Sequence, residues 1–250
     1  MLPRFYAPDL DPDLASVLLP PDEARHLTRV LRLSAGAEVA LFDGRGAEYR
    51  AIVEAAVRGT ASLRIVERLP GTPAPAVRVQ LVLAVLKGDS MDAAVRDATM
   101  MGAESIQPVL TAHTDVKPSF ARRPETLARW GRVAMASVKQ CRRATIPAIF
   151  ETQSFDTWLT SARRGATRLM FVEPSAAAAA SPLKVALAAQ PPSAVTLLLG
   201  PEGGWSVDEL EAARVAGCAL VTLGPLTLRA DAMPVAAMAA VAALCADPNA

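Results

Sequence analysis

The stretch TLLLGPEGGWSVDELEAA, Thr196–Ala213, combines an apolar strand, a glycine-rich loop and a helix. Ser206 is followed three residues later by Glu209, a capping box that predicts a helix start at Ser206. Gly217 predicts the helix end, because glycine readily adopts the left-handed conformation that closes helices. The stretch therefore predicts a strand–loop–helix unit in which residues 200–204 form the loop.

The loop Gly200–Gly204 matches neither common phosphate-binding pattern. Pro201 and Glu202 occupy the first turn of a would-be G-x-G-x-x-G motif, and no Gly-Lys-Ser/Thr follows. Helix N-termini attract anions, but here Glu202, Asp208 and Glu209 already supply negative charge. We expect a neutral or cationic ligand close to the glycine backbone. The alternative is a tight turn that binds no ligand.

The second part of the chain alternates strands with helices. VRVQLVLAVL, residues 77–86, predicts a buried strand, and helices are predicted over 90–101 and 124–141. This alternation predicts an α/β fold with a parallel sheet covered on both faces. Ligands of such sheets bind beyond the carboxyl ends of the strands. One rim should therefore carry Glu173-Pro174, Gly200–Gly204 and Gly224-Pro225.

The first part of the chain is rich in predicted strands. AEVALFDG and AEYRAIVEAAV alternate apolar and polar positions around a turn at 43–46, which predicts a hairpin. PDEARHLTRVLRL predicts one short helix that begins at Pro21. This pattern fits a small β-barrel with one helix. The proline-rich LPGTPAPA, residues 69–76, predicts a linker that separates domains 1–70 and 71–250.

Composition and local patterns give no indication of a strongly basic, zinc-binding, secreted or membrane-spanning protein. The 250 residues are 52% hydrophobic and carry a net charge of +1, so any basic surface must come from local clusters. The three cysteines match no zinc or disulfide spacing, and we expect no metal site. The N-terminus lacks a signal-peptide apolar region, and the most apolar run, from Val235, is too short to span a bilayer. We expect a cytoplasmic protein that does not enter membranes.

Two sets of basic residues are candidates for RNA binding. Arg25, Arg29 and Arg32 are spaced four and three apart, as on one face of a short helix. Arg132, Lys139 and Arg143 are spaced seven and four apart along the predicted helix 124–141. Such stripes can hold a phosphate backbone without reading bases. The alternative for each set is a solvated helix face.

Four segments together resemble the SPOUT methyltransferases, most closely the family that methylates N3 of a uridine in 16S ribosomal RNA. The segments are HLTRVLRLSAGAEVALFDGRG, LAVLKGDSMDAAVRDATMMGAESIQPVLT, SVKQCRRATIP and LLLGPEGGWSVDELEAARVAGCALVTLGPLTLRADA. The resemblance implies an N-terminal PUA-like β-barrel that binds RNA and a C-terminal SPOUT domain with a trefoil knot. It also implies S-adenosylmethionine as methyl donor, 16S ribosomal RNA or the small ribosomal subunit as partner, and a homodimer.

The resemblance also implies roles for individual residues. Gln140 and Arg143 match the family's Gln-x-x-Arg segment and join the RNA-binding candidates. The residues matched to the donor pocket follow three strands: Val172, Glu173, Gly200, Pro201, Glu202, Gly203, Leu223, Gly224 and Leu228.

Arg229 and Asp231 are the catalytic candidates. A guanidinium near a uracil oxygen would stabilise the charge that develops when N3 loses its proton, and a carboxylate could take that proton. The structural alternative is a salt bridge at a helix start, since Pro234 marks the first turn of the last helix.

This chain also departs from the family pattern. The family's Arg-Thr-Glu-Thr-Ala reads Arg-Ala-Asp-Ala-Met over 229–233. Asp97 and Lys139 reverse the family's charges, and the two reversals would compensate if these residues paired. Two other functions are therefore considered: an RNA- or ribosome-binding protein with altered or lost methyl transfer, and a nucleotide-dependent oxidoreductase.

Overall fold

The computed structural model describes residues 2–14, 16–57, 59–73, 75–161, 167–187 and 192–246. Its contacts divide the chain into two compact units. The first unit is Met1–Pro73 with Val138–Ile146, and the second unit is Ala74–Ser137 with Pro147–Ala250. Val138–Ile146, which lies inside the predicted domain 71–250, therefore packs with the first unit.

The first unit contains a five-stranded sheet in the order β1-β3-β4-β5-β2. β1 pairs with β3 in parallel and the other pairs are antiparallel. The predicted hairpin is confirmed, because β3 and β4 are antiparallel neighbours; in its turn, Asp43 Oδ1 accepts the backbone N–H of Arg45 at 2.7 Å and that of Ala47 at 3.0 Å. The elements are β1 Arg4–Tyr6, β2 Val17–Leu18, α1 Pro21–Arg25, β3 Glu38–Phe42, β4 Glu48–Val57 and β5 Thr60–Arg68.

The predicted short helix is only partly regular. α1 gives way to a π-helical turn at His26–Val30, which contains the buried Leu27. Arg32 has a φ of 52°, and Leu33 donates its N–H to the carbonyl of Leu27 at 3.1 Å. This left-handed residue ends the helix. Arg32 therefore lies beyond the helix, and the prediction of one regular helical face for the three arginines is wrong.

The second unit contains an eight-stranded parallel sheet, as predicted. Its strand order is β11-β13-β10-β12-β6-β7-β8, and β9 also pairs with β7. The strands are β6 Arg78–Ala84, β7 Ser105–Leu110, β8 Ala148–Ile149, β9 Gln153–Ser154, β10 Thr167–Phe171, β11 Ser181–Pro182, β12 Ala194–Leu199 and β13 Ala219–Thr222. The helices are α2 Asp89–Met100, α3 Pro118–Ala121, α4 Pro124–Cys141, α5 Phe155–Ser161, α6 Leu183–Leu187, α7 Val207–Val215 and α8 Met233–Cys245; a 3-10 helix spans Pro174–Ala179. The last residues of α4 belong to the first unit.

Both faces of the parallel sheet are buried. Because side chains alternate along each strand, successive residues pack into different cores. In β12, Leu197 and Leu199 pack into one core with α2 and α8 residues, whereas Leu198 packs into another with Phe155 and Ala213. This explains the continuous apolar runs of the central strands. Within the described residues, no helix is both long and apolar enough to cross a membrane.

The predicted capping box of α7 is confirmed. Ser206 Oγ accepts the N–H of Glu209 at 3.2 Å, and Glu209 Oε2 accepts the N–H of Ser206 at 2.9 Å. Gly217 has a φ of 83°, as expected of a residue that closes a helix. These local interactions fix both the end of the loop Gly200–Gly204 and the direction in which its backbone enters the helix.

Candidate active site

A cavity of about 490 Å³ opens where β10, β12 and β13 end. This confirms the predicted position at the carboxyl edge of the sheet, and the volume is in the range of about 300 to 1,000 Å³ that is typical of ligand pockets. It is lined by Ser90, Phe171, Val172, Glu173, Pro174, Gly200, Pro201, Glu202, Gly204, Trp205, Leu223, Gly224, Leu226, Thr227, Leu228, Arg229, Ala230, Asp231 and Met233.

Trp205 supports the start of the glycine loop. Its Nε1 donates to the carbonyl of Phe171 at 2.9 Å, which ties the loop to the end of β10. A Cβ atom built on Gly200 would lie 3.0 Å from this Nε1, so a larger residue would force the indole to move. The sequence analysis missed Trp205, although it directly follows the GPEGG segment.

Gly204 supports the other end of the loop. Its φ of +68° is left-handed, and a Cβ atom there would lie 3.3 Å from Oε1 of Glu173. A side chain would therefore be strained and would also press on a carboxylate of the cavity wall. The two glycines allow the backbone to form the wall itself.

The charge of the cavity is mainly negative. Three carboxylates, those of Glu173, Glu202 and Asp231, line it together with one guanidinium, that of Arg229. Backbone N–H and C=O groups and apolar side chains supply much of the remaining surface. A phosphate would meet repulsion here, whereas a cation would be attracted.

Arg229 and Asp231 form a bidentate ion pair in the cavity. Nε and Nη2 of Arg229 donate to Oδ1 and Oδ2 of Asp231, each at 3.0 Å. These hydrogen bonds lower the pKa of Asp231 and raise the pKa of Arg229, to which the charge of Glu202 also contributes. The Arg229 side chain is 79% exposed, so its guanidinium remains accessible from the cavity. The salt bridge that was the structural alternative is thus present. The two residues that form it, Arg229 and Asp231, also line the cavity.

The structure brings most of the sequence-predicted donor residues together. The lining includes Val172, Glu173, Gly200, Pro201, Glu202, Leu223, Gly224 and Leu228. Gly203 is absent from it and packs elsewhere, since a Cβ atom built on Gly203 would lie 2.9 Å from Cβ of His113.

The RNA-binding candidates are divided between the two units. Arg132 lies in the second unit, while the first contains Arg25, Arg29, Arg32, Lys139, Gln140 and Arg143. The predicted helical stripe is wrong at its end, because α4 stops at Cys141 and Arg142 has a left-handed φ of 67°. Arg143 follows this turn, and its Nε and Nη2 donate to Oγ1 of Thr145 at 3.0 and 2.9 Å. Burial lowers the pKa of Arg143.

Lys139 and Asp97 have separate partners. Lys139 donates through Nζ to the carboxylate of Glu23 in the first unit, and Asp97 accepts from Nε of Arg96 at 2.8 Å in the second unit. The compensation of these two charge reversals by pairing stays a hypothesis. Arg25 is also paired, with Asp22.

Arg4, which the sequence analysis did not single out, holds the segment Val138–Ile146 in place. It is buried and forms a bidentate pair with Glu48, at 2.8 and 3.1 Å. Its Nη1 and Nη2 also donate to the carbonyls of Val138 and Arg143, each at 3.2 Å. Arg4 thus donates to carbonyls at and beyond the end of α4, and that of Val138 also accepts the N–H of Arg142 at 3.0 Å.

Comparisons with known proteins agree with this architecture. Residues 72–242 match the RNA methyltransferase domain family, and residues 19–66 match the RNA methyltransferase PUA domain family. The chain is 32% identical to the ribosomal RNA small subunit methyltransferase E of Synechocystis sp., over 92% of this chain and 74% of that protein. It is also 32% identical to the protein of that name from Mycobacterium bovis, over 96% of this chain and 91% of that protein.

A solved structure extends the likeness to three dimensions. The crystal structure of a ribosomal RNA small subunit methyltransferase E from Neisseria gonorrhoeae, bound to S-adenosylmethionine, superimposes with a TM-score of 0.86. It is 29% identical, and the match covers 98% of each chain. The fold and these matches define an RNA methyltransferase. Within that class, the chain belongs to the family of ribosomal RNA small subunit methyltransferase E.

Membership of a methyltransferase family is contrary to the oxidoreductase alternative. Among the residues that the structure describes, no group of three His, Cys, Asp or Glu side chains is placed to hold a metal ion.

Proposed function

We propose that the protein transfers the methyl group of S-adenosylmethionine to N3 of a uridine in 16S ribosomal RNA of the small subunit. The observation that carries the proposal is the cavity at the carboxyl edge of the sheet, which is lined by glycine backbone and by more carboxylates than cations. The names of the relatives support the choice of ribosomal RNA, and the Neisseria gonorrhoeae structure supports the choice of donor.

The residues of the cavity fit this donor. S-adenosylmethionine carries a sulfonium cation and a neutral adenine, and it lacks phosphate. Glu173 and Glu202 provide negative charge for a cation, and glycine at positions 200 and 204 lets the loop backbone pack against Trp205 and Glu173 and form the cavity wall. When bound, the donor supplies an electrophilic methyl group, and the chain's main task is then to position the reactants.

Arg229 and Asp231 are proposed to act on the uracil. Arg229 would donate to an oxygen beside N3 and stabilise the negative charge that develops as the proton leaves. Its pair with Asp231 fixes the guanidinium, and the lowered pKa of Asp231 keeps the carboxylate ionised at neutral pH. The ionised carboxylate can accept the N3 proton. Because a lowered pKa also makes Asp231 a weak base, we assign the larger share of the rate to Arg229.

RNA binding is proposed for the neutral Gln140 and for six basic residues of the two units: Arg25, Arg29, Arg32, Arg132, Lys139 and Arg143. The match of residues 19–66 to a PUA domain family of RNA methyltransferases supports RNA binding by domain 1–70. We further propose that domain 71–250 ends in a trefoil knot and that the protein acts as a homodimer in the cytoplasm.

One experiment tests the reaction. The protein is incubated with methyl-labelled S-adenosylmethionine and unmodified small ribosomal subunits, and the RNA is digested for mass spectrometry. We expect label in N3-methyluridine, and loss of most of this label with Arg229→Ala. Label in another nucleoside would contradict the proposed atom. Donor binding without any label would instead favour the RNA-binding alternative that lacks methyl transfer.

A further inference from the structure

The loop between β7 and α3, residues 111–117, packs against the outer side of the glycine loop. His113 Nδ1 lies 3.0 Å from the carbonyl oxygen of Gly203 and 3.2 Å from that of Gly204. Both partners are acceptors, so Nδ1 must carry a proton and donate to them. The missing side chain of Gly203 makes this approach possible, because a Cβ atom there would lie 2.9 Å from Cβ of His113.

Further contacts near His113 connect the 111–117 loop to α7 and, through Lys87, to the glycine loop. Ala112 donates its N–H to Oε1 of Glu209 at 2.8 Å, while Oε2 of this carboxylate completes the capping box of α7. Lys87 pairs with Asp115 at 2.6 Å, and its backbone N–H donates to Oε1 of Glu202 at 3.3 Å. The glycine loop is therefore held from its outer side by the residues that surround His113.

We propose that His113 is a positioning residue for methyl-donor binding. It lies outside the cavity lining, but it fixes the carbonyls of Gly203 and Gly204. Gly204 forms part of the cavity wall, and Gly203 is adjacent to Glu202, which also lines the cavity. Through these neighbours His113 keeps the wall in the conformation that receives the donor.

As a positioning residue, His113 should affect the affinity for the methyl donor and not the rate of methyl transfer. Without the imidazole, the loop would be ordered in only a fraction of the unbound molecules, and the apparent dissociation constant rises by the inverse of that fraction. Because the contact is an exposed neutral hydrogen bond, we expect an increase of about threefold to tenfold. Arg229 and Asp231 remain in place, so the rate at saturating donor should not change.

The inference rests on the proposed function, and the experiment separates the two. S-adenosylmethionine is titrated calorimetrically into the full-length wild type, His113→Ala and His113→Asn, and the donor KM, RNA KM and kcat are measured for each. Asn places an amide N–H near the position of Nδ1, so it should restore affinity close to the wild-type value. We expect His113→Ala to raise the donor Kd and KM and to leave kcat and the RNA KM unchanged.

The other outcomes are distinct. A wild type that does not bind S-adenosylmethionine would contradict the proposed function itself. A wild type that binds, with an unchanged Kd for His113→Ala, would overturn the role of His113. An equal loss in His113→Ala and His113→Asn would also overturn it, since hydrogen-bond donation would then be irrelevant. A parallel fall in kcat and thermal midpoint for His113→Ala would show a general structural role instead.

Discussion

The glycine loop Gly200–Gly204 and the segment Val138–Ile146 are both irregular, but different interactions shape them. The end of the loop is fixed by the adjacent capping box of Ser206 and Glu209, and its start is supported by Trp205, which is hydrogen-bonded to Phe171. The segment is held by residues that are distant in sequence, since Arg4 reaches two of its carbonyls and Gly44 accepts the N–H of Ile146 at 2.9 Å. A local motif thus fixes where the glycine loop ends, with distant contacts added to it, whereas the contacts that hold the segment come from residues distant in sequence.

This difference changes how charged residues in the two regions are interpreted. Around the glycine loop, carboxylates remain at the cavity wall and can act on a ligand. Around Val138–Ile146, several charges are used within the fold: Arg4 pairs with Glu48, and Lys139 pairs with Glu23. A basic residue in the sequence is therefore not by itself a free RNA contact.

The largest expected effect is a loss of stability when the contacts of Arg4 with the segment Val138–Ile146 are removed. Arg4→Ala leaves Glu48 buried without its partner and leaves the carbonyls of Val138 and Arg143 without this donor. Breaking a buried ion pair in this way costs about 3 to 5 kcal/mol. Urea denaturation followed by circular dichroism measures the loss.

A matched control for this change is Arg50→Ala. Arg50 also pairs with two carboxylates, those of Glu38 and Glu67, but these pairs are exposed. Exposed ion pairs add little, so the denaturation midpoint should hardly change. Equal losses for the two variants would contradict the assignment of Arg4 as the residue that holds the segment.

The next effect concerns the glycine loop. Gly204→Ala places a side chain at a φ of +68° and 3.3 Å from Glu173 Oε1. The left-handed strain of about 1 to 2 kcal/mol should weaken donor binding by up to about five- to thirtyfold, to the extent that the loop shifts to relieve it. Gly131→Ala is the control: Gly131 lies in α4, where a Cβ atom has no neighbour within 4 Å, so donor affinity should be unchanged. Unaltered binding by Gly204→Ala would contradict the proposed role of the loop.

A smaller effect is expected at the helix cap. Ser206→Ala removes the acceptor for the N–H of Glu209 and should lower the free energy of unfolding by about 1 kcal/mol. Ser206→Thr keeps an oxygen in place and should recover most of the loss. Thermal denaturation of the two variants tests the claim that the capping box fixes the end of the loop, which an unchanged stability of Ser206→Ala would contradict.

The salt dependence of RNA binding should distinguish Arg143 from Lys139. If Arg143 contacts a phosphate, Arg143→Gln lowers the slope of log affinity against log salt by about 0.7 to 0.9. Lys139→Gln should instead destabilise the first unit, because Glu23 is buried and loses its partner. Filter binding to ribosomal RNA at several salt concentrations, together with denaturation, distinguishes these effects. A larger change in slope for Lys139→Gln than for Arg143→Gln would contradict the expectation that Arg143 contributes more to phosphate binding than Lys139 does.

The smallest effect is a pH dependence at Asp231. Arg229 lowers the pKa of Asp231 in the folded protein, so the pair adds stability above the ordinary pKa of aspartate, and this addition disappears as the pH falls through the lowered value. Wild type should therefore exceed Arg229→Gln slightly in stability at neutral pH, and the two should converge in acid. A difference in stability between wild type and Arg229→Gln that persists at low pH would contradict the assignment of this effect to the Arg229–Asp231 pair.

The sequence predicted the features that depend on local patterns. The parallel sheet follows from apolar runs such as Leu197–Leu199, and the start of α7 follows from Ser206 and Glu209. The sequence could not predict which distant groups would meet. The carboxylate of Glu23, the carbonyls reached by Arg4 and the contact of His113 with Gly203 depend on tertiary structure. The resemblance to a family supplied the donor residues, but it could not show that Gly203 faces His113.

The central claim is that the glycine-lined cavity binds a cationic methyl donor and not a phosphate-bearing nucleotide. The most direct measurement is a calorimetric titration of the protein with S-adenosylmethionine, repeated in the presence of excess ADP. The carboxylates of Glu173, Glu202 and Asp231 predict that S-adenosylmethionine binds and that ADP does not displace it. Absence of binding by S-adenosylmethionine, or its displacement by ADP, would contradict the account.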